Sequence, residues 1–322
     1  MSFRDLVVVV SGGSSGIGAA LVDAFINEGA IVAIADLHTN PKIEYGHKET
    51  STHRRLYSFC VDVTNSIQVR NMISSLMNMY GRIDVYCSNA GILYQPPSTK
   101  DGGSVTQHSD NQWNRIFQVN TLSHVIALRE LLPYWNRINT NHDDGSQKRP
   151  IFLINASAAG LLTQIGNASY GVSKAAAVSV AEHIAIEHEN IRVYCLCPQA
   201  VDTPMVRTAI TKRENQQEQL TSKERNLKQT TPRQKALLNS AMTDGVMEPW
   251  QVAQCTLQAL SSSSPTSSTT TPTSIFIFPH SKVPLYFERK ACDHARWIKG
   301  MQKLKRRLDS PSTSSSTPRS KL

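Results

Sequence analysis

Ser157, Tyr170 and Lys174 carry the kinds of group that move protons. Tyr170 and Lys174 stand four apart in Tyr170-Gly171-Val172-Ser173-Lys174, and the run of small residues from Lys174 to Ala185 reads as helix. At that spacing the two side chains share a face, one turn apart, which puts an ammonium beside a phenol. A free phenol titrates near ~10, and a fixed positive charge favours the phenolate. Bringing it to about 7, where a general base works best, takes roughly 4 kcal/mol of differential stabilisation. A Tyr-x-x-x-Lys pair on a helix surface is ordinary by itself, so its chemistry depends on what the neighbouring elements set against it.

Those elements read as alternating strands and helices. A buried strand, Ile151-Phe152-Leu153-Ile154, feeds into Ser157-Ala158-Ala159-Gly160. Near the N-terminus, Leu6 to Val10 is a continuous apolar run, as a strand buried on both faces would be. It runs into Ser11-Gly12-Gly13-Ser14-Ser15-Gly16-Ile17-Gly18, followed by the helical pattern Ala20, Leu21, Ala24, Phe25. Glycines in such a turn let the backbone approach a pyrophosphate, and the helix start offers free N–H groups and a partial positive charge. The next strand, Ala30 to Ala35, ends in Asp36, eighteen residues past Gly18. A carboxylate there can accept hydrogen bonds from an adenosine ribose and would repel a 2′-phosphate. No Arg or Lys lies in the glycine loop or directly after Asp36, so NAD is expected over NADP. The plainer alternative is a surface Asp that ends a strand.

The glycine spacing, Gly-x-x-x-Gly-x-Gly from Gly12, resembles that of the short-chain dehydrogenase/reductase family, with Ser11 where the family carries Thr. The resemblance extends in order along residues 6 to about 205. Asp62-Val63 follows a strand, Tyr57 to Val61, at the place where family members contact the adenine. Ser88-Asn89-Ala90-Gly91 looks like the family's Asn-Asn-Ala-Gly, with Ser88 replacing the first Asn. Asn120, on a helix expected from Trp113 to about Trp135, matches the asparagine of the family's catalytic tetrad, and Ser157 precedes Tyr170 by thirteen residues as the family's serine does. Pro198-Gln199-Ala200-Val201-Asp202-Thr203 is similar to the Pro-Gly-x-Val-x-Thr segment that meets the nicotinamide, with Gln199 in place of the glycine.

The resemblance implies a Rossmann-type, doubly wound parallel α/β sheet of about seven strands with helices on both faces. It also implies an enzyme interconverting a secondary alcohol and a ketone. Tyr170 would be the general acid/base, Ser157 the donor to the substrate oxygen, Lys174 the group that lowers the Tyr170 pKa and binds the nicotinamide ribose, and Asn120 the end of the proton path. Ser11, Gly12, Ser15, Gly16, Ile17, Gly18, Asp36, Asp62, Val63, Asn89, Ala90, Gly91, Tyr170, Lys174, Pro198, Val201 and Thr203 would contact the cofactor. A homo-oligomer, dimer or tetramer, is expected through the helices carrying Asn120 and Tyr170. Two rival readings are an NADP-dependent carbonyl reductase, opposed by Asp36, and a dinucleotide-binding regulatory protein that has lost catalysis, opposed by the complete tetrad.

Size and composition fit one catalytic domain with appendages. Of 322 residues, 40% are hydrophobic and 18% charged, enough for a substantial core. No apolar run reaches the ~18 residues that span a bilayer, and the N-terminal run is too short for a signal peptide. The six cysteines sit mostly in apolar contexts with no zinc spacing, so they are expected to be reduced core thiols, with no metal bound. Residues 1–280 are expected to form the dinucleotide-binding catalytic domain, with 206–247 as a polar substrate lid and the Ser/Thr/Pro tract 261–274 as a flexible loop. Leu161, Leu162, Ile165 and Met205 flank the expected site and point to a hydrophobic pocket for a lipophilic substrate.

The net charge of +9 is concentrated at the end: residues 281–322 carry eleven Lys/Arg against three acidic residues. The stripe Phe287, Ala291, His294, Ile298, Met301 marks 281–308 as a basic amphipathic helical extension, read first as docking on the catalytic domain or a partner subunit and second as a membrane-surface contact. With no recognisable module there, no nucleic-acid partner is expected. Residues 309–322 read as a disordered tail ending in Ser320-Lys321-Leu322. That tripeptide is a peroxisomal import address, so the expected location is the peroxisomal matrix, or the cytoplasm where the address is not read.

Overall fold

In a computed structural model of the chain, the residues described are 2–38, 55–94, 105–140, 149–162, 168–207, 245–262 and 275–294, with 296, 298–300 and 302–303. Seven strands form one parallel sheet: β1 (Val7–Ser11), β2 (Ile31–Asp36), β3 (Leu56–Cys60), β4 (Val85–Ser88), β5 (Ile151–Asn155), β6 (Arg192–Leu196) and β7 (Phe276–Ile277). Their order is β3-β2-β1-β4-β5-β6-β7, and every pairing is parallel.

The alternation of β1 shows why the sheet is covered on both sides. Side chains of a strand point to opposite faces with period two. Val7 and Val9 enter one core and Val8 and Val10 the other, all of them buried. The first core is closed by α2 (Ser66–Tyr80), α4 (Ser123–Thr140) and α6 (Ala168–Glu187), through Ile73, Leu76, Leu131, Trp135, Ala177 and Ala181. The second is closed by α1 (Gly16–Asn27) and α7 (Pro249–Ser262), through Leu21, Phe25, Val252 and Leu260. Successive strands run outward in opposite directions from β1 and β4, so the chain leaves a crevice at the carboxyl ends of these two strands, where doubly wound sheets bind their ligands.

Helix α2 is capped by Asn65, whose Oδ1 accepts from the N–H groups of Ile67 and Gln68. One local expectation is corrected. The helix that carries Asn120 is not continuous α. It runs as α3 (Asp110–Phe117), then a π-helical turn over Gln118–Leu122, then α4. A short helix, α5 (Ala158–Leu161), follows β5, and α8 (Val283–Cys292) follows β7. No helix among the described residues is long and apolar enough to cross a membrane. The expected lid lies outside the described residues at 208–244, as do most of the 261–274 tract and the tail from 304 onward.

Candidate active site

The glycine turn closes over the end of β1. Gly12 has φ +64, in the region that favours glycine, and a Cβ on Gly18 would stand 2.0 Å from the Gly12 carbonyl oxygen. Only a residue without a side chain lets α1 begin this close to the turn. The Asn89 amide donates to the carbonyls of Ser11 (2.9 Å) and Gly12 (3.2 Å). The Ser11 hydroxyl accepts from the N–H groups of Asn89 (2.9 Å) and Ala90 (3.1 Å). Ser11 therefore supplies the hydroxyl that ties β1 to the segment after β4.

Asp36 ends β2 beside this turn: its Oδ2 accepts from the Ser14 N–H at 3.1 Å and its Oδ1 from the His38 N–H at 3.2 Å. No ion pair reaches it among the described residues. Ser15 occupies the N-cap position of α1 without a side-chain cap bond, and Ile17 lies in the first turn. Asp62 and Val63 follow β3. Burial pulls the Asp62 carboxyl up, but hydrogen bonds from Thr64 and the charge of Arg115 outweigh it and hold the group below the usual carboxylate range. A glycine cradle that side chains would fill, free N–H groups at the start of α1 and an acidic strand end together fit a dinucleotide.

Asn120, Ser157, Tyr170 and Lys174 meet near the ends of β4, β5 and β6. Ser157 caps α5, its Oγ accepting from the Ala159 N–H at 3.1 Å and donating to the Pro198 carbonyl at 3.4 Å. Tyr170 shares a hydrogen bond with Ser157. Lys174, one turn on in α6, is only 3% exposed and holds its Nζ 5.8 Å from the centre of the Tyr170 ring, donating to the Asn155 carbonyl at 2.6 Å. Burial pulls the Lys174 ammonium down to about 8. Gly91 sits between Asn120 and Lys174: a Cβ there would be 3.4 Å from Asn120 Oδ1 and 3.5 Å from Lys174 Nζ. The π-helical turn aims Asn120 at this point, with Oδ1 accepting from Ile92 N–H (2.8 Å) and Nδ2 donating to the Ile92 carbonyl (3.0 Å) and Ser173 Oγ (3.0 Å).

The phenol differs from expectation. Burial raises the Tyr170 pKa, and the hydrogen bond with Ser157 lowers it by less, so the net shift in this chain is upward. At nearly 6 Å from the ring centre, the desolvated lysine does not outweigh the low-polarity surroundings.

Thr203 is buried with its methyl against the glycine turn, 3.2 Å from where a Cβ of Gly16 would stand, and Val201 bridges to Met247. Leu161 and Leu162, expected to flank a pocket, are buried in the core beneath α6, while Ile165 lies outside the described residues. Met205 is half-buried beyond Thr203.

Several supporting residues were not singled out in the sequence. Asn155 Nδ2 donates to Asn89 Oδ1 at 2.7 Å, and its carbonyl holds Lys174. Ser88 Oγ and His124 Nδ1 share a buried 2.7 Å hydrogen bond, a partner for the serine that replaces the family's asparagine. His280 and Lys290 reach the site from the C-terminal segment. Of these, only Ser88 left a signal, as a departure from its motif.

Comparison with known proteins agrees with this geometry. The short chain dehydrogenase family profile matches residues 6–214. "Short chain aldehyde dehydrogenase 1" of Euphorbia lathyris is 30% identical over 215 residues, covering 63% of this chain and 66% of that one. Meso-2,3-butanediol dehydrogenase of Serratia marcescens is 28% identical over 207 residues, covering 64% and 75%. Among solved structures, aldohexose dehydrogenase of Thermoplasma acidophilum aligns over 86% of this chain and 94% of its own at 25% identity, with a TM-score of 0.62. A family member from Burkholderia phymatum in complex with NAD shares the fold over 91% and 95%, at 21% identity and a TM-score of 0.65. With the profile spanning well over half of the sequence, the chain belongs to the short-chain dehydrogenase/reductase family of oxidoreductases.

Proposed function

We propose that this protein is an NAD(H)-dependent oxidoreductase that interconverts a secondary alcohol and a ketone, with Tyr170 as the general acid/base. The observation that carries the reading is the hydrogen-bonded Ser157–Tyr170 pair with the Lys174 ammonium over the phenol ring. Relatives named for a hydroxypentalenate from Streptomyces exfoliatus and for meso-2,3-butanediol support an alcohol substrate. Asp36 at the end of β2 supports NAD over NADP. When bound, the nicotinamide ring would accept the hydride from the carbinol carbon or return it to the carbonyl carbon.

The chain's own residues handle the oxygen and its proton. Ser157 and Tyr170 are hydrogen-bonded to each other, so a substrate oxygen bound beside the pair would receive two hydroxyl donors as charge develops, the Ser157 proton turning from the Pro198 carbonyl. A phenol raised by burial is protonated at neutral pH, the form that gives a proton to a ketone oxygen. Taking a proton from an alcohol requires the phenolate, which the charge of Lys174 favours in a site with little water. Asn120 holds the Ile92 backbone beside Lys174 and so shapes the proton path behind the lysine. The lipophilic reading of the substrate rests on Met205 and Ile165, since Leu161 and Leu162 belong to the core.

The test is NADH formation from NAD and a panel of secondary alcohols: hydroxyacyl thioesters, steroids and short alcohols, with NADP alongside. Tyr170→Phe is expected to abolish turnover while NADH still binds. Substantial activity in that variant would remove Tyr170 from the mechanism, and equal use of NADP would remove the role given to Asp36. We further propose a peroxisomal location wherever Ser320-Lys321-Leu322 is the free terminus. A fluorescent tag at the other end is expected to co-localise with peroxisomes and to become diffuse on deletion of the tripeptide. A diffuse signal from the intact chain would contradict the location.

A further inference from the structure

His280 lies just beyond β7 and is 1% exposed. Its Nδ1 accepts from the Gln199 N–H at 3.1 Å and its Nε2 lies 3.0 Å from the Ala200 carbonyl oxygen. These two partners fix the ring chemically. A backbone N–H can only donate and a carbonyl can only accept, so the imidazole is neutral with its proton on Nε2. One side chain thus satisfies two consecutive backbone groups of a loop, as a neighbouring strand would. One residue on, the Val201–Met247 bridge holds the same loop, with the Met247 N–H donating to the Ala200 carbonyl at 3.0 Å and the Asp202 N–H to the Met247 carbonyl at 2.9 Å. Among the described residues only Asp5 and glycines have positive φ, so Gln199 turns the chain without the left-handed conformation open to a glycine.

The clasped loop connects the two halves of the site. At its start the Pro198 carbonyl accepts from Ser157 Oγ and from the Ala158 N–H at 2.8 Å. At its end Thr203 packs against Gly16 of the glycine turn. A dinucleotide with its pyrophosphate on that turn and its reacting carbon near Ser157 and Tyr170 must run along this loop. The same C-terminal segment has a second hold on the site: Lys290 Nζ of α8 donates to the Leu161 carbonyl of α5 at 2.7 Å, while Val283 and Tyr286 pack against the core.

We propose that His280 is a positioning residue for the nicotinamide end of the dinucleotide, holding Gln199 and Ala200 so that residues 198–203 stand ready against it. The inference rests on the dinucleotide reading given under the proposed function. With the Met247 bridge still holding Ala200 to Asp202, losing the two neutral hydrogen bonds of His280 loosens the turn at Gln199, which must then order on binding, and is expected to weaken NADH about tenfold. ADP-ribose, which lacks the nicotinamide, is held by the glycine turn and Asp36 and is expected to change by less than about twofold.

The experiment titrates full-length wild type, His280→Leu and His280→Gln with NADH and with ADP-ribose, by NADH fluorescence and calorimetry. A glutamine amide carries an acceptor and a donor about as far apart as the two ring nitrogens, so His280→Gln is expected to recover most of the NADH affinity. A His280→Leu protein that binds NADH like wild type, or loses NADH and ADP-ribose equally, would overturn the inference. So would a glutamine variant as weak as the leucine one. Wild type binding neither ligand would instead overturn the dinucleotide reading, and this inference with it. Should His280→Leu fail to fold, nitrogen-15 spectra of wild-type histidines decide: one ring locked with its proton on Nε2 is expected to respond to NADH and not to ADP-ribose. A response to both, or to neither, would sink the proposal.

Discussion

At the scale of single residues, the His124–Ser88 pair makes the most readily measured demand on stability. Burial, with the charge of Lys174 adding to it and the Asn120 carbonyl opposing, pulls the His124 pKa down to about 3. In the unfolded chain the same imidazole titrates near ~6.5. The unfolded state therefore binds the proton first as pH falls. The stabilisation is complete above pH ~6.5 and drains away toward pH ~3, at about 1.4 kcal/mol per pH unit. Replacing both partners, Ser88→Ala with His124→Leu, removes the titration without leaving a polar atom alone. Urea midpoints between pH 7 and pH 4 are expected to fall less steeply for the double variant than for wild type. An unchanged slope would mean that His124 does not stay neutral in the fold. The motif departure at Ser88 was visible in the sequence, but its partner lies thirty-six residues away on another element, and only packing names it.

At the scale of elements, the glycine turn and the π-helical turn show different degrees of legibility. Gly12, Gly16 and Gly18 announced a strand–turn–helix unit, because close backbone approach has a simple residue requirement. The clearance is tight enough to predict its failure. A Cβ on Gly18 would meet the Gly12 carbonyl at 2.0 Å, so Gly18→Ala must shift α1 or the turn. That is expected to cost about 1–3 kcal/mol and to weaken dinucleotide binding more than tenfold. A thermal melt and an NADH titration check the two halves of this statement, and a variant with both values unchanged would contradict the cradle. The π-helical turn over Gln118–Leu122 has no such signature. An α-helix and a helix with one residue inserted present nearly the same apolar spacing over a short stretch. The turn is set here by Asn120 holding Ile92 and by Thr121 Oγ1 donating to the Ser173 carbonyl at 2.9 Å. Both bonds reach elements distant in sequence.

At the scale of the whole molecule, the faces left uncovered suggest how copies associate. Leu122 and Val125, on the π-helical turn and α4, are exposed, as are Val172 and Ile186 on α6. These are the helices through which the family resemblance implies self-association. The protein is expected to run as a dimer or tetramer in light scattering, and Val125→Arg with Val172→Arg is expected to shift it toward monomer. A monomeric wild type would contradict that expectation. The buried strands, their alternation with helices and the order of the motifs were legible in the sequence, because apolar runs and glycine spacing are local properties of the chain, and the parallel sheet with two covered faces was what the family resemblance carried by those motifs implied. What required the tertiary structure is everything that depends on two distant segments meeting. The burial that raises Tyr170 against the lowering expected from Lys174, the placement of Leu161 and Leu162 in the core, and the grip of His280 on the loop at Gln199 are of this kind. Each is an energy of proximity and desolvation, and neither quantity exists until the fold has brought the partners together and excluded water from between them.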